Sequence, residues 1–407
     1  MDAKQSSRRA FLGAGAFAGA ALTACSAPDA TPPEAATAPS LLGAPVRRYG
    51  ERSPHETVAR GVRDSQTPEA ASSRTPLDET YGIITPSALH FERHHAGVPD
   101  IDPTAHKLLI HGLVERPMMF TLSDLKRMPS VSRVHFVECS GNSGGEWSAK
   151  GAPTVRLSHG LASCSEWTGV PLRVLLDEVG VKPEAKWLLA EGDDACRMQR
   201  SVMIEKALDD AIVAYGQNGE ALRPEQGYPV RLVLPGWEGN TNVKWLRRIK
   251  LTEGPQFTKD ETSKYTELME DGEAWIFTFE MDAKSVITAP SGGHAIGGPG
   301  YHEVTGLAWS GRGKITSVEV STDGGANWSE ASLQQPVYSR AFTRFRLPWN
   351  WDGSECVLLS RCRDDTGYVQ PTRQELIAQR GRYSAYHCNR IKGWRIAADG
   401  SVSNAEA

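Results

Sequence analysis

The chain has 407 residues, of which 40% are hydrophobic and 23% are charged, and its formal net charge is −4. This balance is typical of a globular protein of about two domains and excludes a disordered chain. The absence of a basic block argues against nucleic acid as the main partner. Beyond the first residues, no apolar run is long enough to span a bilayer.

The N-terminus has the pattern of a targeting segment. Arg8 and Arg9 precede a weakly apolar Gly/Ala-rich stretch, which is the signature of twin-arginine export. We assign residues 1–27 to this signal and expect a periplasmic protein. Cys25 also fits a lipid-attachment site, and ordinary cleavage near Ala27 is the alternative.

Between the signal and the first compact region, residues 28–75 are rich in Ala, Pro, Thr and Glu, which predicts a linker or an N-terminal arm. The compact region over 76–272 mixes helices and strands without regular βαβ alternation, which predicts an α+β domain. Thr121 and Asp124 have the spacing of a capping box. In chain order, the patterns predict a strand at 108–114, a helix after 121, a strand at 134–137, helices at 170–179 and near 204–214, and strands at 186–190 and 228–234.

The pattern changes over 273–400 to short strands separated by Gly and Pro. Asp323 is followed by two glycines, which is a hairpin turn signal. Regular short strands of this kind predict an Ig-like β-sandwich. The predicted strands are 304–309, 315–321, 328–333, 344–349 and 357–361.

The seven cysteines form no C-x-x-C pair, which argues against a zinc ribbon, a thioredoxin motif or covalently attached haem. Cys356 and Cys362 share one face of a predicted strand but lie too far apart along it to form a disulfide bond.

Cys139 stands at the end of an apolar strand, where the chain turns into Ser140, Gly141 and Asn142. Taken alone, a cysteine in such a place is more often a small core residue. The small residues that follow it, however, suit the close approach of a cofactor, and a thiolate suits a soft or high-valent metal.

Two further clusters carry positive charge. Arg93, His94 and His95 lie together in a predicted loop, where they suit an anion. Arg231 and Lys244 each lie among apolar residues, and a buried cation is costly without an anionic partner. A cofactor that bears a phosphate would satisfy both.

Together these segments resemble the sulfite oxidase family of molybdenum–pterin enzymes. The runs Phe-x-Arg-x-His, Cys-x-Gly-Asn, Gly-Tyr-Pro-Val-Arg and Val-Lys-Trp-Leu occur in the family's order, and the resemblance extends from Thr85 to Asp365. It implies a sulfite-oxidase-type molybdopterin-binding domain over 76–272 and a dimerisation domain over 273–400.

The resemblance implies a catalytic set of three residues. Cys139 would be the thiolate ligand of molybdenum, Arg93 would face the substrate, and Tyr265 would hydrogen-bond near the metal. The cofactor would be molybdenum with molybdopterin, without an added nucleotide. The residues expected to bind it are Arg93, His95, Cys139, Ser140, Asn142, Arg231 and Lys244.

Four positions depart from the family's pattern. Ser143, Gly144 and Thr241 stand where the family carries arginines, and Gln226 stands in place of a histidine. The pocket has therefore lost positive charge, which disfavours the sulfite dianion. The variants around Arg93 and Cys139 most resemble the molybdenum subunit of sulfane dehydrogenases.

We therefore expect a molybdenum oxidoreductase that oxidises sulfane sulfur on a carrier protein by oxo transfer. The chain has no haem motif and no dinucleotide fingerprint, so electrons would pass to a c-type cytochrome. A homodimer is expected through the C-terminal domain. The alternatives are a free-sulfite dehydrogenase, a reductase of oxidised methionine, which the long C-terminal domain disfavours, and an exported binding protein with an Ig-like module.

Overall fold

The structure is a computed structural model that describes residues 43–63 and 65–406. The predicted signal, with Cys25, lies outside the described residues. The chain divides after Glu56 into two compact units. In the first, Arg47 forms an ion pair with Glu51. The described helices and strands lie in the second unit. Among the described helices, none is long and apolar enough to cross a membrane.

The first part of the larger unit mixes short helices with strands, and the predicted α+β class is confirmed. Its elements are β1 (Gly61–Arg63), β2 (Ser72–Arg74), β3 (Glu92–Arg93), β4 (Lys107–Gly112), β5 (Met118–Thr121), α1 (Leu122–Arg127), β6 (Val131–Glu138), α2 (Val155–His159), β7 (Ala162–Pro171), α3 (Leu172–Val179), β8 (Trp187–Gly192), β9 (Gln199–Met203), α4 (Ile204–Asp209), β10 (Ile212–Gln217), β11 (Glu220–Ala221), β12 (Arg231–Val233), β13 (Leu246–Thr252), α5 (Lys259–Thr262), β14 (Glu267–Leu268) and β15 (Ala274–Trp275).

The second part is dominated by strands. Its elements are β16 (Lys284–Ala289), β17 (Gly300–Trp309), β18 (Ile315–Ser321), β19 (Ser329–Glu330), β20 (Ser332–Leu333), β21 (Thr343–Trp351), β22 (Cys356–Asp364), α6 (Arg373–Arg380), β23 (Gly393–Ile396) and β24 (Val402–Ala405).

Two sheets of the first part position the site. One has the order β5-β4-β13-β8-β9, with β4 and β13 parallel. The other has the order β11-β10-β7-β6, and β12 also pairs with β10. Strand β6 pairs with β7 along its whole length, from Val131 opposite Gly169 to Glu138 opposite Ala162. This long pairing fixes where β6 ends, and therefore where Cys139 lies.

The sandwich consists of the sheets β16-β17-β21-β20 and β19-β18-β22-β23-β24, which share one hydrophobic core. Phe136 of β6 belongs to the same core, and its ring is stacked 6.3 Å from that of Phe342. The strand that leads to Cys139 therefore packs directly against the sandwich.

Some predicted elements need correction. The helix predicted at 204–214 ends at Asp209, because the following apolar run forms β10 between β7 and β12. A strand buried in this way shows no polar alternation. The helix predicted at 170–179 begins only at Leu172, after Pro171 ends β7. The strand predicted at 328–333 is split at Ala331, since β19 pairs with β18 and β20 pairs with β21.

The capping box at Thr121 is confirmed, because its side chain accepts a hydrogen bond from the backbone N–H of Asp124, whose carboxylate caps Thr121 in return. Part of the predicted linker is ordered, since β1 and β2 form an antiparallel pair to which β3 adds. The pairing of Ser72 with Arg93 joins this N-terminal arm to β3, so Arg93, which was predicted in a loop, lies at the end of a strand.

Candidate active site

Cys139 lines a partly open cleft that polar and apolar side chains share, as is usual for small-molecule sites. Strand β6 delivers Cys139 to the cleft, and the loop after β3 delivers His94 and His95. The cleft is lined by His90, Phe91, Arg93, His94, His95, Val137, Cys139, Asp194, Met198, Gln226, Arg231, Gly239, Asn240, Asn242, Val243, Lys244, Trp245 and Tyr265.

Five of the seven residues predicted to bind the cofactor thus line one cleft, together with Tyr265. The other two, Ser140 and Asn142, are fully buried within the loop of residues 139–142, here called the cysteine loop. The Asn142 amide donates to Glu138 Oε1 at 2.9 Å and accepts from the backbone N–H of Leu161 at 3.0 Å. In this structure they support the loop, and their contact with a cofactor stays a prediction.

The Cys139 thiol has a raised pKa. Burial is the largest cause, and a hydrogen bond from the backbone of Gly141 and the charge of Arg93 act in the opposite direction. A free thiol at this position is therefore protonated at neutral pH. Metal binding would displace the proton, as it does at other thiolate sites.

Tyr265 and His95 form a pair beside Cys139, with 2.9 Å between the tyrosine hydroxyl oxygen and Nε2 of the histidine. Burial, followed by the charge of Arg93, lowers the pKa of His95 to about 4. Burial, followed by the negative charge of a Cys139 thiolate, raises the pKa of Tyr265. At neutral pH a neutral imidazole therefore meets a protonated phenol, and the phenol proton is free for a ligand in the cleft when the imidazole donates the hydrogen bond between them.

Arg231 and Lys244 line another part of the cleft. Arg231 is 2% exposed and donates to the carbonyl oxygens of Gln226 and Asn242, each at 3.1 Å. Burial lowers its pKa to about 9. Lys244 donates to Nδ1 of His94 at 2.8 Å and to the carbonyl of Glu225 at 3.0 Å. Burial, followed by the charge of Arg231, lowers the pKa of Lys244 to about 7.

The cleft residues fit the cofactor that the sequence predicts. Within the described part of the chain, His90 Nε2, Arg231 Nε and Asn240 Oδ1 are buried polar atoms without a partner, and all three residues line the cleft. Buried polar atoms ordinarily have partners, so a polar ligand is expected. The described residues contain no cluster of three or more His, Cys, Asp and Glu that could hold a metal.

Anion binding at Lys244 should depend on pH. The folded protein holds the amine with a pKa of about 7, so Lys244 is charged below that pH and neutral above it. We expect cofactor-free protein to bind sulfate, whose charge is constant in this range, about 10-fold more weakly at pH 9 than at pH 6, because a charge-assisted contact is lost. Titration calorimetry measures this change. Lys244→Met should remove most of the pH dependence, and an unchanged dependence would show that Lys244 is not the titrating group.

The positions that depart from the family's pattern lie around the cleft rather than in it, except Gln226. Ser143 and Thr241 are buried, and Thr241 donates to the carbonyl of Glu238 at 2.7 Å. Gly144 lies close to the backbone of Ala385. Gln226 lines the cleft and donates to the carbonyl of Phe91 at 3.0 Å. None of these four side chains carries a positive charge.

The sequence did not single out several residues of the site. Asp194 and Asn240 line the cleft, while Arg200, Glu238 and His387 lie buried. The signal that identified Arg231, a charge within a strand, also marks Arg200 in β9. Glu238 and His387 have no local signal, because their partners are distant in sequence.

Two family models match the chain. The oxidoreductase molybdopterin binding domain matches residues 95–259, and the Mo-co oxidoreductase dimerisation domain matches residues 275–393. The chain is similar to the crystal structure of the sulfane dehydrogenase SoxCD from Paracoccus pantotrophus, with 46% identity, a TM-score of 0.85, and coverage of 88% of this chain and 96% of that chain.

Curated relatives include nitrate reductases. The NADH enzyme of Solanum lycopersicum is 34% identical over 69% of this chain, and the NADPH enzyme of Phytophthora infestans is 31% identical over 69%. The chain spans 34% of the length of each of these relatives. The similarity to them therefore concerns one part of a longer protein.

Proposed function

The chain belongs to the sulfite oxidase family of molybdopterin oxidoreductases, and from this premise we propose that it is the molybdenum subunit of a sulfane dehydrogenase. Its substrate would be sulfane sulfur carried on a partner protein during thiosulfate oxidation, and its electron acceptor a c-type cytochrome. The proposal places the protein in the periplasm, exported by the twin-arginine signal around Arg8 and Arg9, with lipid attachment at Cys25 as an open alternative.

The charge around Cys139 is the observation that carries this choice of substrate. Arg93 lines the cleft near the cysteine, but the carboxylate of Asp194 lines it too, and Ser143, Gly144 and Thr241 add no charge. A sulfite dianion gains much of its affinity from charge-assisted donors, so this balance favours sulfur on a carrier. Arg93 is also the feature that favours the second candidate, free-sulfite oxidation.

When bound, the molybdenum cofactor would supply two-electron oxidation coupled to oxygen-atom transfer. The protein's own contribution is binding and electrostatics. Arg231 and Lys244 would hold the phosphate, with His95 and Asn240 nearby, while Cys139 would ligate the metal. Arg93 and the Tyr265 hydroxyl would stabilise charge that develops on the substrate.

Metal analysis and substrate assays test the proposal. We expect about one molybdenum per protomer in holoprotein, and cytochrome c reduction that is faster with a sulfur-loaded carrier protein than with sulfite. Faster turnover of sulfite would favour the second candidate, and nitrate should be reduced slowly. Folded protein without molybdenum would favour an exported binding protein. Nucleotide analysis of the released cofactor tests whether the pterin lacks an added nucleotide.

The match to the dimerisation domain indicates a homodimer. The name of the similar sulfane dehydrogenase, SoxCD, indicates a complex of two components. We propose that a cytochrome subunit binds this chain as well. Light scattering with and without the cytochrome measures both associations.

Replacing Tyr265 with phenylalanine should lower kcat by about 10²-fold, because one preorganised hydrogen-bond donor is removed. KM should change little, since the hydroxyl acts mainly on charge formed during the reaction. Steady-state kinetics measures both constants. Tyr301→Phe, at a residue that is 70% exposed in the sandwich, is the matched control. An equal loss in the two variants would contradict the role of Tyr265.

A further inference from the structure

Glu238 is a buried carboxylate behind the cleft, only 2% exposed, on which three side chains converge. Arg200 Nη2 donates to its Oε1 at 3.0 Å, and Asn240 Nδ2 donates to its Oε2 at 2.7 Å. His387 Nε2 lies 3.4 Å from Oε2. A buried charge with this many partners is fixed in place, because each partner would be costly to lose.

Two of these partners also hold the cysteine loop. The Asn240 amide that donates to Glu238 also donates to Ser140 Oγ at 3.1 Å. The backbone N–H of His387 donates to the carbonyl of Ser140 at 2.8 Å. Because Ser140 directly follows Cys139, the position of the thiol depends on the residues that surround Glu238.

The third partner reaches Tyr265. Arg200 is 1% exposed, and its guanidinium carbon lies 5.1 Å from the centre of the Tyr265 ring, within the range of a cation–π contact. The ring of Tyr386, the neighbour of His387, also packs against the ring of Tyr265, with 5.7 Å between the ring centres. One carboxylate thus connects the loop of Cys139 with the ring of Tyr265.

We propose that Glu238 is a positioning residue that sets the thiolate of Cys139 and the hydroxyl of Tyr265 relative to one another. It acts on Cys139 through Asn240 and Ser140, and on Tyr265 through Arg200. The proposal deepens and rests on the proposed function, in which Cys139 binds molybdenum. Replacing a residue that orients a metal ligand commonly lowers metal affinity or activity by about 10- to 100-fold.

Glu238→Gln in the holoenzyme tests the proposal, because glutamine keeps the shape of the side chain and removes its charge. We expect kcat per bound molybdenum to fall by about 10- to 100-fold, with KM nearly unchanged. We also expect the thiolate-to-molybdenum charge-transfer absorption to shift, which is a readout that loss of stability alone would not move. Glu238→Asp, which retains the charge, should recover part of the activity.

Glu261→Gln is the matched control. Glu261 is equally buried and lies 3.7 Å from Arg200 Nε, but its hydrogen bonds go to Ser201 and Thr258, away from the cysteine loop. It should destabilise the fold while leaving the absorption unchanged, because its own hydrogen bonds do not reach the loop of Cys139. An equal shift of the absorption in the two variants, or an unshifted absorption in E238Q, would overturn the positioning role.

A smaller change covers the case in which E238Q does not fold. Ser140→Ala removes only the oxygen that accepts from Asn240, and it should still shift the charge-transfer absorption. An unshifted spectrum in a folded, metal-loaded S140A protein would overturn the link to Cys139. Wild-type protein without molybdenum would overturn the proposed function, and with it this proposal, whereas metal-loaded wild type with unshifted variants overturns only the positioning role.

Discussion

Replacing Cys139 with serine should nearly abolish substrate oxidation while leaving the protein folded. A bound metal contributes several kcal/mol to transition-state stabilisation, which corresponds to roughly 10²- to 10⁴-fold in rate. Serine is close to cysteine in size but is a poor ligand for a soft or high-valent metal. The loop itself should persist, because Asn142 and Glu138 support it without using the thiol.

Activity per bound molybdenum, rather than per protein, is the quantity to measure. Arg231 and Lys244 should retain much of the cofactor in C139S, and the thiolate-to-metal absorption should disappear. Cys356→Ser is the matched control, since Cys356 is half-buried in β22 of the sandwich. Substantial activity in metal-loaded C139S would show that Cys139 is not the essential ligand.

Replacing Lys284 with methionine should lower the free energy of unfolding by about 3–5 kcal/mol, the usual cost of breaking a buried ion pair from one side. Lys284 in β16 is 1% exposed and pairs with Glu138, which is fully buried. Glu138 also accepts from Asn142 at 2.9 Å and from the Trp309 indole at 2.7 Å. Without the lysine its charge remains buried and uncompensated.

This ion pair joins the sandwich to the residue that precedes Cys139. K284M should therefore also reduce the molybdenum content of protein purified from cells. Urea denaturation followed by tryptophan fluorescence measures the stability change. Arg346→Met removes an exposed ion pair with Glu303 in the same domain and should cost less than about 1 kcal/mol. Similar destabilisation by the two substitutions would contradict the importance of the buried pair.

Most of the candidate site residues could be read from the sequence because they carry a local signal, whereas Tyr265 was implied by the family resemblance alone. Arg231 stands out as a charge within an apolar strand, and Cys139 stands at a break between a strand and a small-residue loop. The structure brings Cys139, Arg93, His95, Arg231, Lys244 and Tyr265 to one cleft. Their roles toward the cofactor and the substrate remain predictions that the experiments above address.

The α+β class and the sandwich were also predictable, since the alternation of short strands differs from the mixed pattern before it. The bounds of the helices and strands were less predictable from the sequence. The run at 211–214 is fully apolar, and its sequence does not distinguish a buried strand from the end of a helix. This run forms strand β10 because it pairs with β7 on one side and with β12 on the other.

The sequence by itself therefore determined the family motifs, the fold class and the cations of the cleft, because local composition and spacing encode them. Only the tertiary structure decided how the cleft is supported. Glu138 meets Lys284 across 146 positions of the chain, and Glu238 meets His387 from the segment after α6. A charge can be buried only where its partner already lies, and which distant residue becomes that partner depends on how the sheets pack.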